Sequence, residues 1–184
     1  MTQNTVTVRR RFQTASAGFT VAELLVLVAV ISILCAIGFP LYLSYSRAQE
    51  TDGAARVIVV ALNQARQLAV TRGGSYSVDT QTAPNNRVRF FCTNAIVDGS
   101  GNVLCAAGTV WTGAGTDGSG WHRLENAARI VQAPAITFSS LGGATIAPAG
   151  TAFRVQNSSA TGTLDVCVSP SGRIKVQATG APCP

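Results

Sequence analysis

The sequence predicts an α+β protein: one long N-terminal helix, transmembrane and then amphipathic, followed by a β-rich domain. Three observations carry this. Residues 24–43 are almost wholly apolar and hold no charge. Beyond them Ala54, Ile58, Ala61, Ala65 and Leu68 recur at spacings of four and three, the period of a helix with one apolar face. After Gly73-Gly74 the chain becomes rich in Gly, Ala, Ser and Thr, with short apolar runs between turn residues, the pattern of small strands and many turns.

Residues 1–18 are polar, with the triplet Arg9-Arg10-Arg11 and no acid. Residues 19–45 are long enough to cross a bilayer of about 30 Å at about 1.5 Å per residue. The basic triplet before the span places the N-terminus in the cytoplasm and the bulk of the chain outside. An ordinary secretory signal has its apolar region before a small-residue cleavage site. Here Gly18 precedes the apolar region, so cleavage there leaves the hydrophobic helix on the mature protein. Glu23 stands at the edge of the span. A carboxylate there costs a few kcal/mol and marks function; the plainer reading is an interfacial acid favoured by the positive end of the helix.

The helix is expected to continue past Pro40, which would kink it. Asp52, Arg56, Asn63, Arg66 and Gln67 form its polar side, and Gly73-Gly74 ends it as a C-cap. Strands are expected at 75–80, 87–92, 103–106, 110–112, 129–132, 135–138, 152–156, 164–169 and 173–177. Residues 113–120 are Gly-rich and read as a loop, with Trp111 and Trp121 on its flanks anchoring it to the core.

The formal net charge is +6 over 184 residues. Taking the three arginines of residues 1–18 from the 14 basic residues leaves 11, against 8 acidic residues, so the remaining chain is near +3 and only mildly basic. Cys35 lies inside the apolar run; Cys92, Cys105, Cys167 and Cys183 lie downstream in an exported domain, which points to disulfides. Four cysteines allow three connectivities, and spacing favours Cys92–Cys105 and Cys167–Cys183. With one histidine, His122, and no C-x-x-C pair, neither a zinc site nor any cofactor is expected. No G-x-S-x-G accompanies His122, and the Gly-rich loop lacks the lysine of a phosphate loop. Nothing in the chain composes a catalytic set, so it is read as a non-enzyme.

Gly18-Phe19-Thr20-x-x-Glu23-Leu24-Leu25 resembles the class III signal of type IV prepilins. The resemblance implies that a prepilin peptidase cuts between Gly18 and Phe19 and methylates the new Phe19 amine. It makes Glu23 the fifth mature residue and matches Pro40 to the family's helix-kinking proline. Val21-Ala22 departs from the commoner Leu-Ile. A second resemblance lies in the helix end, Gln64-Ala65-Arg66-Gln67-Leu68-Ala69-Val70-Thr71-Arg72-Gly73. With Gly120-Trp121, Ile136-Thr137-Phe138, Gly142 and Val168-Ser169-Pro170-Ser171-Gly172-Arg173 it is similar to the GspH/FimT family: H-type minor pseudopilins of type II secretion and FimT/FimU minor type IV pilins.

That family implies a pilin-like fold, with two antiparallel β-sheets packed on the C-terminal half of the helix. Three segments follow: a leader (1–18), a transmembrane polymerisation helix (19–45) and an extracytoplasmic pilin-like domain (46–184) whose helix runs to about residue 72. The implied partners are the prepilin peptidase, other major and minor pilins and the inner-membrane assembly platform. The implied location is the inner membrane before assembly and a pilus or pseudopilus after it. In a low-dielectric filament core an unpaired Glu23 is expensive, and the resemblance implies that it pairs with the Phe19 amine of a neighbour.

A second candidate lies in Gly172-Arg173-Ile174-Lys175. In a strand Arg173 and Lys175 point to one face, where two cations suit nucleic-acid phosphates. The element looks like the Gly-Arg-x-Arg by which some FimT-type pilins bind DNA, with Lys175 lacking the bidentate fork of arginine; the bland reading is a solvated strand face. Arg87, Arg89 and Arg154 are candidates to widen the patch. Three functions therefore compete: a minor pilin of a type IV pilus, an H-type pseudopilin of type II secretion, and a DNA-binding pilin for natural transformation.

Overall fold

The computed structural model describes residues 19–124, 127–148 and 150–183. Helix α1 runs Val21–Thr71, and the chain divides into two compact units between Leu41 and Tyr42.

In the first unit the apolar side chains point outward all round the helix, including Leu24, Leu25, Leu27, Ile31, Leu34 and Phe39. An 18-residue window of mean hydropathy 2.8 has none of its surface buried. By length and composition this helix can cross a membrane, and a helix apolar on every side needs lipid or other helices around it. Cys35 is a free, exposed thiol there, and Pro40 lies inside the helix.

In the second unit the helix buries Thr51, Ala54, Ala55, Ile58, Ala61, Leu62, Ala65 and Ala69, the stripe that its spacing predicts. Five of these are alanines, Ala54, Ala55, Ala61, Ala65 and Ala69, and their small side chains let the sheets approach the helix closely. The helix stops where Gly73 takes φ 66°. Gly74 N–H then donates to Ala69 C=O (3.1 Å) and Gly73 N–H to Val70 C=O (3.4 Å), the paired bonds of a Schellman cap.

Among the described residues eleven strands follow: β1 (Tyr76–Gln81), β2 (Arg87–Cys92), β3 (Ile96–Val97), β4 (Val103–Cys105), β5 (His122–Arg123), β6 (Arg129–Gln132), β7 (Ala135–Phe138), β8 (Ala144–Ala147), β9 (Phe153–Gln156), β10 (Thr163–Val168) and β11 (Ile174–Ala178). They form a five-stranded sheet in the order β5-β2-β1-β7-β8, a four-stranded sheet in the order β11-β10-β9-β6, and the hairpin β3-β4. All pairings are antiparallel. The α+β class and two antiparallel sheets are therefore observed, with a small third hairpin added. Tyr76, Phe90 and Phe138 from one sheet and Phe153, Val155 and Val166 from the other join Ile58 and Leu62 of the helix in one core.

The outcome for the strands is uneven. β2, β6 and β7 occupy the expected residues. No strand forms at 110–112, where only Val110 bridges Phe91; β3, β5 and β8 were not expected. The last strand begins at Ile174 rather than 173.

Candidate functional site

The N-terminal candidate is built by helix capping. Thr20 Oγ1 accepts the Glu23 N–H at 3.2 Å, so Thr20 is the N-cap and Glu23 lies three positions on, in the first turn. Thr-x-x-Glu is the spacing of a capping box, a signal that the sequence itself carries. Capping starts the helix and sets Glu23 among free backbone N–H groups, where negative charge is favoured. Phe19 is 79% exposed. Gly18 and the leader lie outside the described residues.

The C-terminal candidate occupies the outer face of the four-stranded sheet. The register pairs Lys175 with Cys167, Gln177 with Asp165 and Asp165 with Arg154, so these side chains share a face. Arg173 precedes β11, and its carbonyl accepts the Ser169 N–H at 2.9 Å. Arg173 and Lys175 are both exposed and make no ion pair among the described residues. Arg154 reaches the same face but is committed: it grips Asp165 through Nε (2.8 Å) and Nη2 (3.0 Å). Asp165 is buried, and its bond with Arg154 holds its carboxyl below the usual carboxylate range against the opposing effect of burial.

The tail folds back over this face. Gly180 N–H donates to Asp165 Oδ2 (3.2 Å), Gln177 Nε2 donates to Ala181 C=O (2.8 Å), and Cys183 is disulfide-bonded to Cys167. A second disulfide joins Cys92 to Cys105 and ties β4 to the end of β2.

Arg87 and Arg89 do not join that patch. They belong to β2 of the other sheet, where both guanidinium groups lie 4.3 Å from the Trp121 ring centroid. Arg89 pairs with Asp79 at 2.8 Å, and Arg87 Nε donates to Gln81 at 2.7 Å. Trp121 is thereby buried at 4% exposure, and Trp111 stacks on Phe90 at 5.0 Å; both flanks of the Gly-rich loop are anchored. Asp117 within the loop accepts the N–H groups of Ser119 (2.9 Å) and Trp121 (3.0 Å). His122 is buried beside Phe90 at 5.5 Å, with no partner for its Nε2 among the described residues. Among those residues no group of three His, Cys, Asp or Glu side chains is placed to hold a metal ion.

A capped apolar helix long enough to cross a membrane, with a carboxylate in its first turn, leads into a disulfide-stapled domain of antiparallel sheets, and the family match places these features in a class of membrane-anchored structural subunits. Residues 54–172 match the family of the type II transport protein GspH, and the chain belongs to that family. It is a minor pilin or pseudopilin of a type IV pilus or type II secretion apparatus, a structural subunit and not an enzyme, with other pilins as its partners. Similar solved structures include two of different proteins. The type IV minor pilin FimU of Pseudomonas aeruginosa PAO1 is 17% identical, with 75% of this chain and 96% of that chain covered and a TM-score of 0.45. The minor pseudopilin EpsH of the Vibrio cholerae type 2 secretion system is 14% identical, with coverages of 72% and 99% and a TM-score of 0.46. No curated protein sequence matches at a significant level.

Proposed function

We propose that this chain is a minor type IV pilin that acts in the initiation or tip complex of a pilus. In this reading a prepilin peptidase removes residues 1–18 and methylates Phe19, and the chain enters the inner membrane with its N-terminus cytoplasmic. The assembly platform then extracts it into the filament. The observation that carries the reading is Glu23 at the capped start of an otherwise apolar helix. Held there, the carboxylate is desolvated as the helix joins a bundle, and the Phe19 amine of a neighbour is the cation that offsets it. Glu23→Ala is expected to leave cleavage intact and to cut incorporation into filaments; incorporation equal to wild type defeats the pairing.

Two other readings each have one observation in their favour. The family's own description favours an H-type pseudopilin of type II secretion; the gene neighbourhood, pilus or secretion apparatus, separates it from the first. The exposed, unpaired Arg173 and Lys175 on one face favour contact with DNA.

A further inference from the structure

A pocket of about 290 Å³ lies between helix α1 and the loop before β5, lined by Arg56, Val57, Val60, Gly115, His122 and Arg123. Its charge is one-sided: two guanidinium groups from different elements line it and no carboxylate does. Arg56 is exposed and makes no ion pair among the described residues, even with Asp52 one turn earlier on the helix. Arg123 has Asp117 Oδ2 at 3.8 Å from its Nε, a long pair on an exposed side chain, while the other oxygen, Oδ1, accepts the backbone N–H groups of Ser119 and Trp121. The Val57 and Val60 side chains supply an apolar wall, and Val60 is 62% exposed. His122, one more wall, is nine-tenths buried with its Nε2 unpartnered. Two like charges facing one recess raise the potential there for an anion.

We infer that this pocket receives a carboxylate side chain, Asp or Glu, of a neighbouring pilin subunit. The recess is large enough to admit such a side chain. The valines cover its methylene stem and the two arginines take its oxygens, the pairing that guanidinium groups favour most. Charge complementarity of this kind fixes the register of two surfaces and rejects wrong neighbours. A minor subunit that must occupy one place in a filament needs such selection, which the apolar helix alone does not provide. The inference rests on the assembly reading and adds a second, extracytoplasmic contact to it.

The test is photo-crosslinking in cells carrying the complete assembly. A benzoylphenylalanine is placed at Asn63, which is exposed one turn beyond Val60. The expected result is a cross-link to another pilin, mapped by mass spectrometry to a segment holding an Asp or Glu. Arg56→Glu with Arg123→Glu should lower its yield roughly tenfold, and reversing the mapped acid to Arg should restore it. Both arginines are exposed, so folding is retained, and disulfide mapping checks this. Incorporation without a cross-link, a link to a segment lacking an acid, or a yield unmoved by charge reversal overturns the pocket alone. Failure of the otherwise unaltered chain to enter filaments overturns the assembly reading and the pocket with it.

Discussion

Arg66 Nε donates to the carbonyl of Gly142 at 2.9 Å, and its Nη2 lies 3.5 Å from the carbonyl of Ser171. One guanidinium on the helix thus ties the β7–β8 turn of one sheet to the β10–β11 turn of the other. The two turns meet so closely that a Cβ on Gly172, at φ 78°, would fall on the Gly142 carbonyl oxygen. The glycine before Arg173 is therefore a packing requirement, whatever the arginine contacts.

Arg66→Ala is expected to lower stability by about 1–2 kcal/mol, the value of a charge-assisted bond at a partly exposed site. Gly172→Ala is expected to cost more, since a left-handed conformation alone costs a non-glycine residue about 1–3 kcal/mol and the clash adds to it. Denaturant unfolding of the full chain in detergent measures both; a Gly172→Ala protein as stable as wild type would contradict the packing account.

Burial lowers the pKa of His122, against the raising effect of its bond with the Gly115 backbone. The charged groups near it are Arg56 on the helix, Arg123 beside it and Asp117 in the loop. Because the folded pKa lies below the unfolded value of about 6.5, the unfolded chain binds the proton first. Stability is then full above that value and falls as pH drops below it. Asp165, whose folded pKa is depressed, loses its contribution only at lower pH, as pH falls through its own folded value. Unfolding midpoints followed from about pH 7.5 down to 5.5 should therefore fall in wild type and stay flatter in His122→Gln. Equal slopes would remove His122 as the cause.

If Arg173 and Lys175 contact phosphates, the purified protein binds duplex DNA weakly, without sequence preference, and less as salt rises. Arg173→Gln with Lys175→Gln should remove most of that binding and leave unfolding unchanged, since exposed substitutions cost little. Equal binding by the double variant, or none by wild type at low salt, returns these residues to a solvated strand face. Arg154 is not expected to matter, because Asp165 already holds its charge.

What the sequence made legible follows physical range. The helix, its buried stripe and its Gly73-Gly74 end were readable because capping and periodicity act within a few residues. β2, with Val88, Phe90 and Cys92 buried in alternation, shows a clean period of two. β3 and β5, of two residues each, are too short to show any period, and β8 (Ala-Thr-Ile-Ala) is poor in the branched and aromatic residues that mark strands. At 110–112 the Gly-rich loop takes over after one bridge. Of the site, Glu23 and the cysteines stood out by residue type and spacing. Arg66 did not, for its acceptors lie 76 and 105 residues away. Nor did the pocket of Arg56 and Arg123, which a single sheet register and the helix bring together. The role of Thr20 was within reach through its spacing to Glu23.

The processing of the N-terminus bears hardest on the whole reading. Mass spectrometry of the mature protein isolated from its own cells is expected to find a chain that starts at Phe19 and carries one methyl group on its amine. Gly18 replaced by a bulky residue should leave the uncleaved precursor in the membrane. A mature chain beginning after residue 40, without the apolar helix, would contradict the reading of this protein as a prepilin-type subunit.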